Sequence, residues 1–181
     1  MDKIKDTAEK IDSEPKKETS VKKEIWLWVR DFILPLGIIY VLLFHIFGMA
    51  IVTGDSMVPT YSNGKLLFMR RFNIESVQYG DIVVFSKADY KNGDKLIKRV
   101  IGLPGDEIDI DFETGAVYRN GELLEEKYIA EATKTGDAEL FPMKVPEGSI
   151  FVMGDNRNNS IDSRYSEIGP VRFEEIKGII F

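Results

Sequence analysis

The sequence predicts a mainly β protein, in which a coiled, barrel-like antiparallel β domain follows one N-terminal transmembrane helix. Three observations indicate this fold class. An apolar segment of 21 residues, from Phe32 to Val52, contains no Asp, Glu, Lys or Arg. After residue 60, short runs rich in Val, Ile, Phe and Tyr alternate with turns that contain Gly, Asn or Asp. Between Lys95 and Phe181, no amphipathic helix longer than about two turns can be recognised.

The residues that precede the apolar segment, 1–31, carry eight basic and eight acidic side chains. So charged a stretch cannot build a core, and we predict a tail that is disordered or forms a fraying helix. The whole chain has a net charge of −6, which argues against nucleic acid as a partner. It has one histidine and no cysteine, which excludes disulfides and thiol chemistry and argues against a zinc site. We therefore predict neither a cofactor nor a metal.

The segment 32–52 is long enough to cross a hydrocarbon core of about 30 Å as a helix. Trp26, Trp28 and Arg30 precede it, as is typical of an interfacial anchor. A cleavable secretory signal and a buried core helix are the alternatives. The signal is disfavoured because the charged region ahead is long and the apolar run exceeds about 15 residues. We therefore predict a retained, single-pass membrane anchor.

The orientation of this anchor is indicated by the basic residues on its two sides. Lys22, Lys23 and Arg30 favour a cytoplasmic N-terminus, whereas Lys65, Arg70 and Arg71 follow on the other side. The balance leans toward a cytoplasmic tail and an extracytoplasmic domain, residues 53–181.

Six strands are predicted in this domain: Lys65–Phe72, Asp81–Ser86, Lys95–Ile101, Glu107–Asp111, Ala116–Arg119 and Ser149–Met153. Three dipeptides, Asn63-Gly64, Asn92-Gly93 and Asn120-Gly121, are hairpin turn signals. Phe173–Lys177 is predicted to form one short helical turn.

Ser56 lies in the stretch Gly54-Asp55-Ser56-Met57-Val58-Pro59-Thr60, directly after the apolar segment. A serine held in a tight Gly/Pro loop could be a nucleophile if a base accepts its proton. His45, the single histidine, lies within the apolar segment, so lysine is the leading candidate for that base. The alternative is a polar turn in which Asp55 or Ser56 bonds a nearby backbone N–H.

Lys98 differs from the other lysines because it lies within a strand-like apolar run. With a period of two, Leu96, Lys98 and Val100 share one face, so Lys98 is expected to be desolvated. Desolvation disfavours the ammonium and lowers the pKa, which would leave a neutral amine able to accept a proton. The alternative is that Lys98 reaches solvent or pairs with an acid such as Asp106.

The stretch of residues 154–164, GDNRNNSIDSR, follows a predicted strand and has almost no apolar side chains. It could be an ordinary exposed loop. Its two aspartates and two arginines could instead lock it through charge-assisted hydrogen bonds and hold one side chain accurately.

Four segments resemble type I signal peptidases of the compact, Gram-positive-like branch, and they occur in that family's order. They are GDSMVPT at 54–60, YGDIVVF at 79–85, KRVIGLPGD at 98–106 and GDNRNNSIDSR at 154–164. The resemblance covers nearly everything from the membrane segment to the C-terminus. It implies a serine endopeptidase with a Ser/Lys dyad.

The resemblance also implies the role of each site residue. Ser56 would be the nucleophile, with its backbone N–H in the oxyanion hole, and Lys98 would be the general base. Ser160 would orient the lysine, and Asp162 and Arg164 would brace the site. Two further positions concern the oxyanion and the substrate. Many members have a serine where this chain has Gly54, so a backbone group or water would replace its hydroxyl, and Met57 is expected to line a substrate pocket.

The function implied is removal of N-terminal signal peptides from exported pre-proteins, by cleavage after a small-x-small motif such as Ala-x-Ala. The expected partners are pre-proteins emerging from the export machinery and the phospholipid bilayer. An exposed apolar patch near Ser56, including Leu66, Leu67 and Phe68, would rest on lipid, unless these residues are ordinary core. The alternatives are a Ser/Lys self-cleaving regulator and a catalytically inactive membrane-tethered β scaffold.

Overall fold

The structure is a computed structural model and describes residues 21–181. Its first element is a continuous helix, Val21–Ile46, in which α-helical turns (α1, Val21–Trp28; α2, Leu34–Val41) alternate with π-helical turns at Val29–Ile33 and Leu42–Ile46. No residue of this helix is buried. Among the described residues it is the one helix long and apolar enough to cross a membrane. Contacts divide the chain between Tyr40 and Val41, and the β domain forms a compact unit from there.

The bounds of this helix differ from the predicted 32–52 at both ends. The helix already begins at Val21, within the predicted tail, since residues 22–28 are mostly good helix formers. It ends at Ile46, and Phe47–Ile51 form strand β1 instead. Gly48 disfavours helix, and its missing side chain leaves room for Arg71 and Met69 to pack against the backbone. The rest of the predicted tail, residues 1–20, lies outside the described residues.

Ten further strands follow β1. They are β2 Leu66–Arg70, β3 Ile82–Ser86, β4 Lys95–Gly102, β5 Glu107–Asp111, β6 Ala116–Arg119, β7 Glu122–Leu123, β8 Met143–Lys144, β9 Ser149–Met153, β10 Val171–Arg172 and β11 Ile176–Ile180. All pairs are antiparallel. The large sheet has the order β1-β2-β11-β3-β4-β9-β10, and the small sheet β7-β6-β5-β8. The predicted mainly β, antiparallel fold with an N-terminal apolar helix is confirmed.

The predicted turns have different outcomes. Asn120 and Gly121 both have positive φ and join β6 to β7 in a two-residue hairpin, as predicted. Asn92-Gly93 also has positive φ at both residues, between β3 and β4. Asn63-Gly64 instead ends a long connection from β1 to β2, and a turn of 3₁₀ helix at Phe173–Glu175 leads into β11.

Three apolar clusters form the core of the β domain. One lies on one face of β3, β4, β9 and β11, with Phe85, Val100 and Val152 at its centre. A second contains Met57 from the β1–β2 connection. The third joins β4 and β9 to β5 and β6 of the small sheet. The strands that carry the candidate site residues are therefore packed on both faces.

The apolar patch predicted at Leu66, Leu67 and Phe68 is only partly exposed. Leu66 and Phe68 point outward, together with Met49 and Ile51 of β1, but Leu67 is buried. Because side chains alternate along β2, successive residues cannot share one face, so including Leu67 was wrong.

Candidate active site

Ser56 lies in the connection of residues 52–65 between β1 and β2. Backbone bonds Val52 N to Lys65 O and Gly64 N to Val52 O close the base of this connection. Met57, next to the serine, is 1 % exposed and packs into the second core cluster. A buried side chain beside Ser56 thus fixes the turn that presents its hydroxyl.

Lys98 lies on β4 and its Nζ donates to Ser56 Oγ at 2.8 Å. It also donates to the carbonyl of Ile97 at 3.0 Å. The predicted burial of Lys98 is confirmed, because the residue is 2 % exposed. Burial lowers the pKa of Lys98 to about 8; Asp162 and Asp155 oppose this shift and Arg164 adds to it. The suggested pair with Asp106 does not form, since that carboxylate accepts from Tyr79, Asn120 and Leu103 N.

Asp162 and Arg164, in the loop of residues 154–164, form a buried ion pair. Arg164 Nε and Nη2 donate to the two oxygens of Asp162, each at 2.8 Å. Gly154 N and Ser160 Oγ also donate to Asp162, both at 2.8 Å. Burial alone would raise the pKa of Asp162, but the bonds and charge of Arg164 outweigh it and lower that pKa. The carboxylate is therefore held ionised beside Lys98.

Ser160 does not make the contact that the resemblance implied. Its hydroxyl donates to Asp162, whereas the hydrogen bonds described for Lys98 lead to Ser56 and Ile97. Ser160 is buried and lies against Gly154, close enough to leave no room for a side chain there. Ser160 therefore contacts the carboxylate of Asp162, whose charge raises the pKa of Lys98.

The 154–164 loop also holds the Ser56 turn directly. Asn156 N donates to Ser56 O at 3.0 Å, and Asn156 Nδ2 donates to Asp55 O at 3.0 Å. A Cβ on Gly154 would lie 2.6 Å from Ser56 O. The serine is consequently fixed from two sides, by its own connection and by this loop.

A cleft of about 330 Å³ opens beside the side chains of Ser56 and Lys98, between β1 and β4. Met57 lines it, together with Ala50, Ile51 and Leu96. Two strand edges border this cleft. Within the described residues β1 pairs only with β2, and β4 pairs with β9 only from Arg99 onward, so residues 95–98 have one unpaired edge. An extended peptide could pair with these edges.

Gly54 is exposed, with φ of +86°, and nothing lies within 4 Å of a Cβ built there. Its N–H donates to Asn63 Oδ1 at 3.1 Å. This position therefore brings no hydroxyl to Ser56. Among residues 21–181, no group of three or more His, Asp or Glu side chains is placed to hold a metal ion.

Sequence reasoning missed three residues beside the dyad. Arg99 donates to both oxygens of Asp155, at 2.8 and 2.7 Å, and Thr60 Oγ1 donates to the same carboxylate. All three belong to the motifs already noted, but the pairing joins residues 56 positions apart. Only the position of Arg99 beside Lys98 could have drawn attention to it.

Comparison with known proteins gives consistent results. The model of the family "Signal peptidase, peptidase S26" matches residues 25–181. The chain is 36 % identical over 157 residues to signal peptidase I of Bacillus licheniformis, covering 82 % of each chain. It is 35 % identical over 174 residues to signal peptidase I P of Bacillus subtilis subsp. natto, covering 90 % of each.

Among solved structures, a signal peptidase I from Enterococcus faecalis V583 is 35 % identical, with a TM-score of 0.48, over 59 % of this chain and 97 % of that chain. The family is assigned by the family model, which matches residues 25–181, and by the Bacillus relatives, which align with more than four fifths of the chain. The solved structure is not needed for this assignment. The chain therefore belongs to the signal peptidase family, peptidase S26, whose members are serine peptidases.

Proposed function

We propose that the chain removes signal peptides from exported pre-proteins by cutting after a small-x-small motif, with Ser56 as nucleophile and Lys98 as general base. The observation that carries this proposal is the 2.8 Å contact between Lys98 Nζ and Ser56 Oγ at a buried lysine. It supports proton transfer because the two atoms are within hydrogen-bond reach.

The lowered pKa of Lys98, about 8, supports the role of base. At pH 7 about one molecule in ten then carries a neutral amine, against about one in a few thousand for an exposed lysine. The amine takes the Ser56 proton as Oγ attacks the scissile carbonyl, and then gives it to the leaving amine. In the second half, Lys98 takes a proton from the water that attacks the acyl-enzyme, and gives it to Ser56 Oγ as the acyl–oxygen bond breaks and the signal peptide is released.

The negative oxygen of each tetrahedral intermediate needs donors. We assign the Ser56 backbone N–H as one of them. Gly54 supplies no hydroxyl, and its N–H already donates to Asn63, so a second donor would come from water or another backbone group.

An extended substrate that pairs with the edges of β1 and β4 would place its scissile bond beside Ser56. Its side chains would alternate between the cleft and solvent. The cleft, lined by Met57 and Leu96, has about 330 Å³ for them. A preference for small residues at alternate positions, as in Ala-x-Ala, is part of this proposal.

The membrane is the second partner in this proposal. The apolar helix would anchor the chain with its N-terminus in the cytoplasm and the β domain outside. Met49, Ile51, Leu66 and Phe68 form an exposed apolar face on β1 and β2, directly after the helix. This face would rest on lipid and keep Ser56 near the depth at which a signal peptide leaves the bilayer.

The proposal is tested with the full chain in detergent micelles and a pre-protein that carries an Ala-x-Ala site. Wild type should release the mature protein, whereas Ser56→Ala and Lys98→Ala should abolish release. Lys177→Ala, which removes an exposed lysine from β11, is the matched control and should stay active.

Two outcomes would contradict the proposal. Robust cleavage by Ser56→Ala or Lys98→Ala, with the circular dichroism spectrum unchanged, would contradict the roles proposed for Ser56 and Lys98. Efficient cleavage of a pre-protein with leucine in place of the alanine before the scissile bond would remove the small-residue specificity.

A further inference from the structure

Residues 126–128, in the connection between β7 and β8, contact both the strand that carries Lys98 and the 154–164 loop. The guanidinium of Arg99 lies over the ring of Tyr128, with 4.1 Å between Cζ and the ring centroid. The hydroxyl of Tyr128 donates to Glu126 Oε1 at 3.0 Å. Glu126 in turn accepts two bonds from Arg157, at 2.7 and 2.5 Å. Tyr128 is therefore linked directly to Arg99 on β4 and, through Glu126, to Arg157 in the 154–164 loop.

These contacts close into a ring. Arg157 Nε donates to Gly154 O at 3.0 Å, and Arg99 donates twice to Asp155. Because Gly154 and Asp155 are consecutive, the path from Tyr128 through Glu126 and Arg157 returns to Tyr128 through Arg99. The ring therefore holds the Gly154–Asp155 peptide on both sides.

The charged side chains of the ring are largely buried and balance one another, whereas Tyr128 is half-buried. Asp155 and Arg157 are fully buried, and the side chains of Arg99 and Glu126 are 12 % and 5 % exposed. Two cations face two carboxylates, and such buried pairs hold their geometry when each charge is satisfied. No described contact joins Tyr128 or Glu126 to Ser56 or Lys98. Any effect of Tyr128 on these two residues must therefore act through the position of the Gly154–Asp155 peptide and the charge of Asp155.

We propose that Tyr128 is a positioning residue for the peptidase reaction. By stacking on Arg99 and bonding Glu126, it keeps Arg99 on Asp155 and keeps the Gly154–Asp155 peptide against the Ser56 turn. This inference rests on the proposed function, because it concerns the same dyad.

The ring matters for Lys98 because Asp155 is one of the charges that face it. The others are Asp162 and Arg164 on the same loop, and Lys95 lines the cleft with it. The residues of β1, β3 and 52–57 that line the cleft are uncharged. Without the ring of Tyr128, Arg99 is less firmly held on Asp155, and this carboxylate then attracts the Lys98 ammonium more strongly. An opposite charge favours the charged form, so less neutral amine is present at a given pH.

The test measures kcat, KM and their pH dependence for the full chain in micelles with the Ala-x-Ala pre-protein. Tyr128→Leu removes both the stack and the hydroxyl, and should lower kcat about 10- to 100-fold with little change in KM. Its ascending pH limb should move up by about half a unit or more. Tyr128→Phe keeps the aromatic ring over Arg99 but loses the bond to Glu126, so its pH limb should lie between those of wild type and Tyr128→Leu.

Tyr118→Leu is the matched control, because it removes a half-buried tyrosine from β6 of the small sheet. It reports the effect of loosening that sheet without touching Arg99. Where Tyr128→Leu does not fold, Tyr128→Met fills the space without a ring face and carries the same expectation.

The proposal is overturned if the Tyr128 variant that folds loses no more kcat than Tyr118→Leu, or if its pH limb stays at the wild-type position. It is also overturned if Tyr128→Phe shifts the limb as far as that variant does. These results are distinct from failure of the proposed function, in which wild type itself does not cleave or Ser56→Ala does.

Discussion

The 154–164 loop and the turn of residues 172–175 use the same chemistry in opposite surroundings. In the loop, Arg164 meets Asp162 at 2.8 Å with neither side chain exposed. In the turn, Arg172 meets Glu174 at 2.7 Å, but their side chains are 62 % and 68 % exposed. The distances are nearly equal, and only the surroundings differ.

Burial, and not the number of ion pairs, therefore gives the loop its fixed geometry. An exposed pair contributes about 0–1 kcal/mol because water solvates both charges nearly as well. A buried pair resists disruption, because removal of one partner leaves the other charge without water. The loop can therefore fix Ser160 and the Ser56 turn, whereas the exposed Arg172–Glu174 pair contributes little to the turn at 172–175.

The largest effect is expected for Asp162→Asn. The substitution keeps the size of the side chain but leaves Arg164 buried without an ionised partner. It should lower the free energy of unfolding by about 3–5 kcal/mol. Urea unfolding of the full chain in micelles, followed by circular dichroism, measures the change. A loss of less than about 1 kcal/mol in the free energy of unfolding would mean that this buried pair stabilises the fold no more than an exposed pair does.

A smaller effect is expected for Gly154→Ala, which tests how tightly the loop packs on the Ser56 turn. The new Cβ would clash with the side chain of Ser160 and lie 2.6 Å from Ser56 O, a backbone atom that cannot move away cheaply. We expect a loss of about 1–3 kcal/mol in stability, together with a lower kcat/KM. Gly37→Ala is the control, since nothing lies within 4 Å of a Cβ at that glycine. Wild-type kcat/KM in Gly154→Ala would contradict the close packing.

The pH dependence of kcat/KM tests the burial of Lys98 without any change to the 154–164 loop. Because burial lowers the pKa of Lys98 to about 8, its neutral form appears as pH rises toward that value. We expect kcat/KM to increase about tenfold per pH unit below pH 8 and to level off above it. Arg172→Ala should leave this limb in place. A limb that keeps rising toward the pKa of an exposed lysine would show that Lys98 is not desolvated.

The smallest effect is expected for Arg172→Ala itself. The side chain is mostly solvated, and Glu175 keeps Lys87 Nζ at 3.4 Å. Stability should change by no more than about 0.5 kcal/mol, and kcat/KM should be unaffected. A loss as large as that of Asp162→Asn would mean that exposure does not separate the two regions.

Much of the fold could be predicted from the sequence because strand and turn signals are local. The bounds of β5, β6 and β9 agree with the predicted ones, since alternation and flanking turn residues mark each end. Strand β1 was assigned to the helix because its residues continue the apolar run, and only pairing with β2 reveals it. The short strands β7, β8 and β10 have two residues each, too few for a periodic pattern.

The candidate site divides in the same way. Burial of Lys98 followed from its own strand, through Leu96 and Val100 on the same face. The Arg99–Asp155 and Glu126–Arg157 pairs did not, because they join residues 56 and 31 positions apart. A motif shows which side chains are present, but their partners depend on how distant segments meet.

The unpaired edges of β1 and β4 have a consequence beyond the substrate binding proposed above. When no peptide occupies the cleft, they present free N–H and C=O groups that any extended chain could pair with, including a second copy of this protein. Lys95, which is exposed, lines this cleft, so an intruding strand would have to desolvate its positive charge. The charge of Lys95 thus discourages self-association, and a cleft without it would be an aggregation hazard.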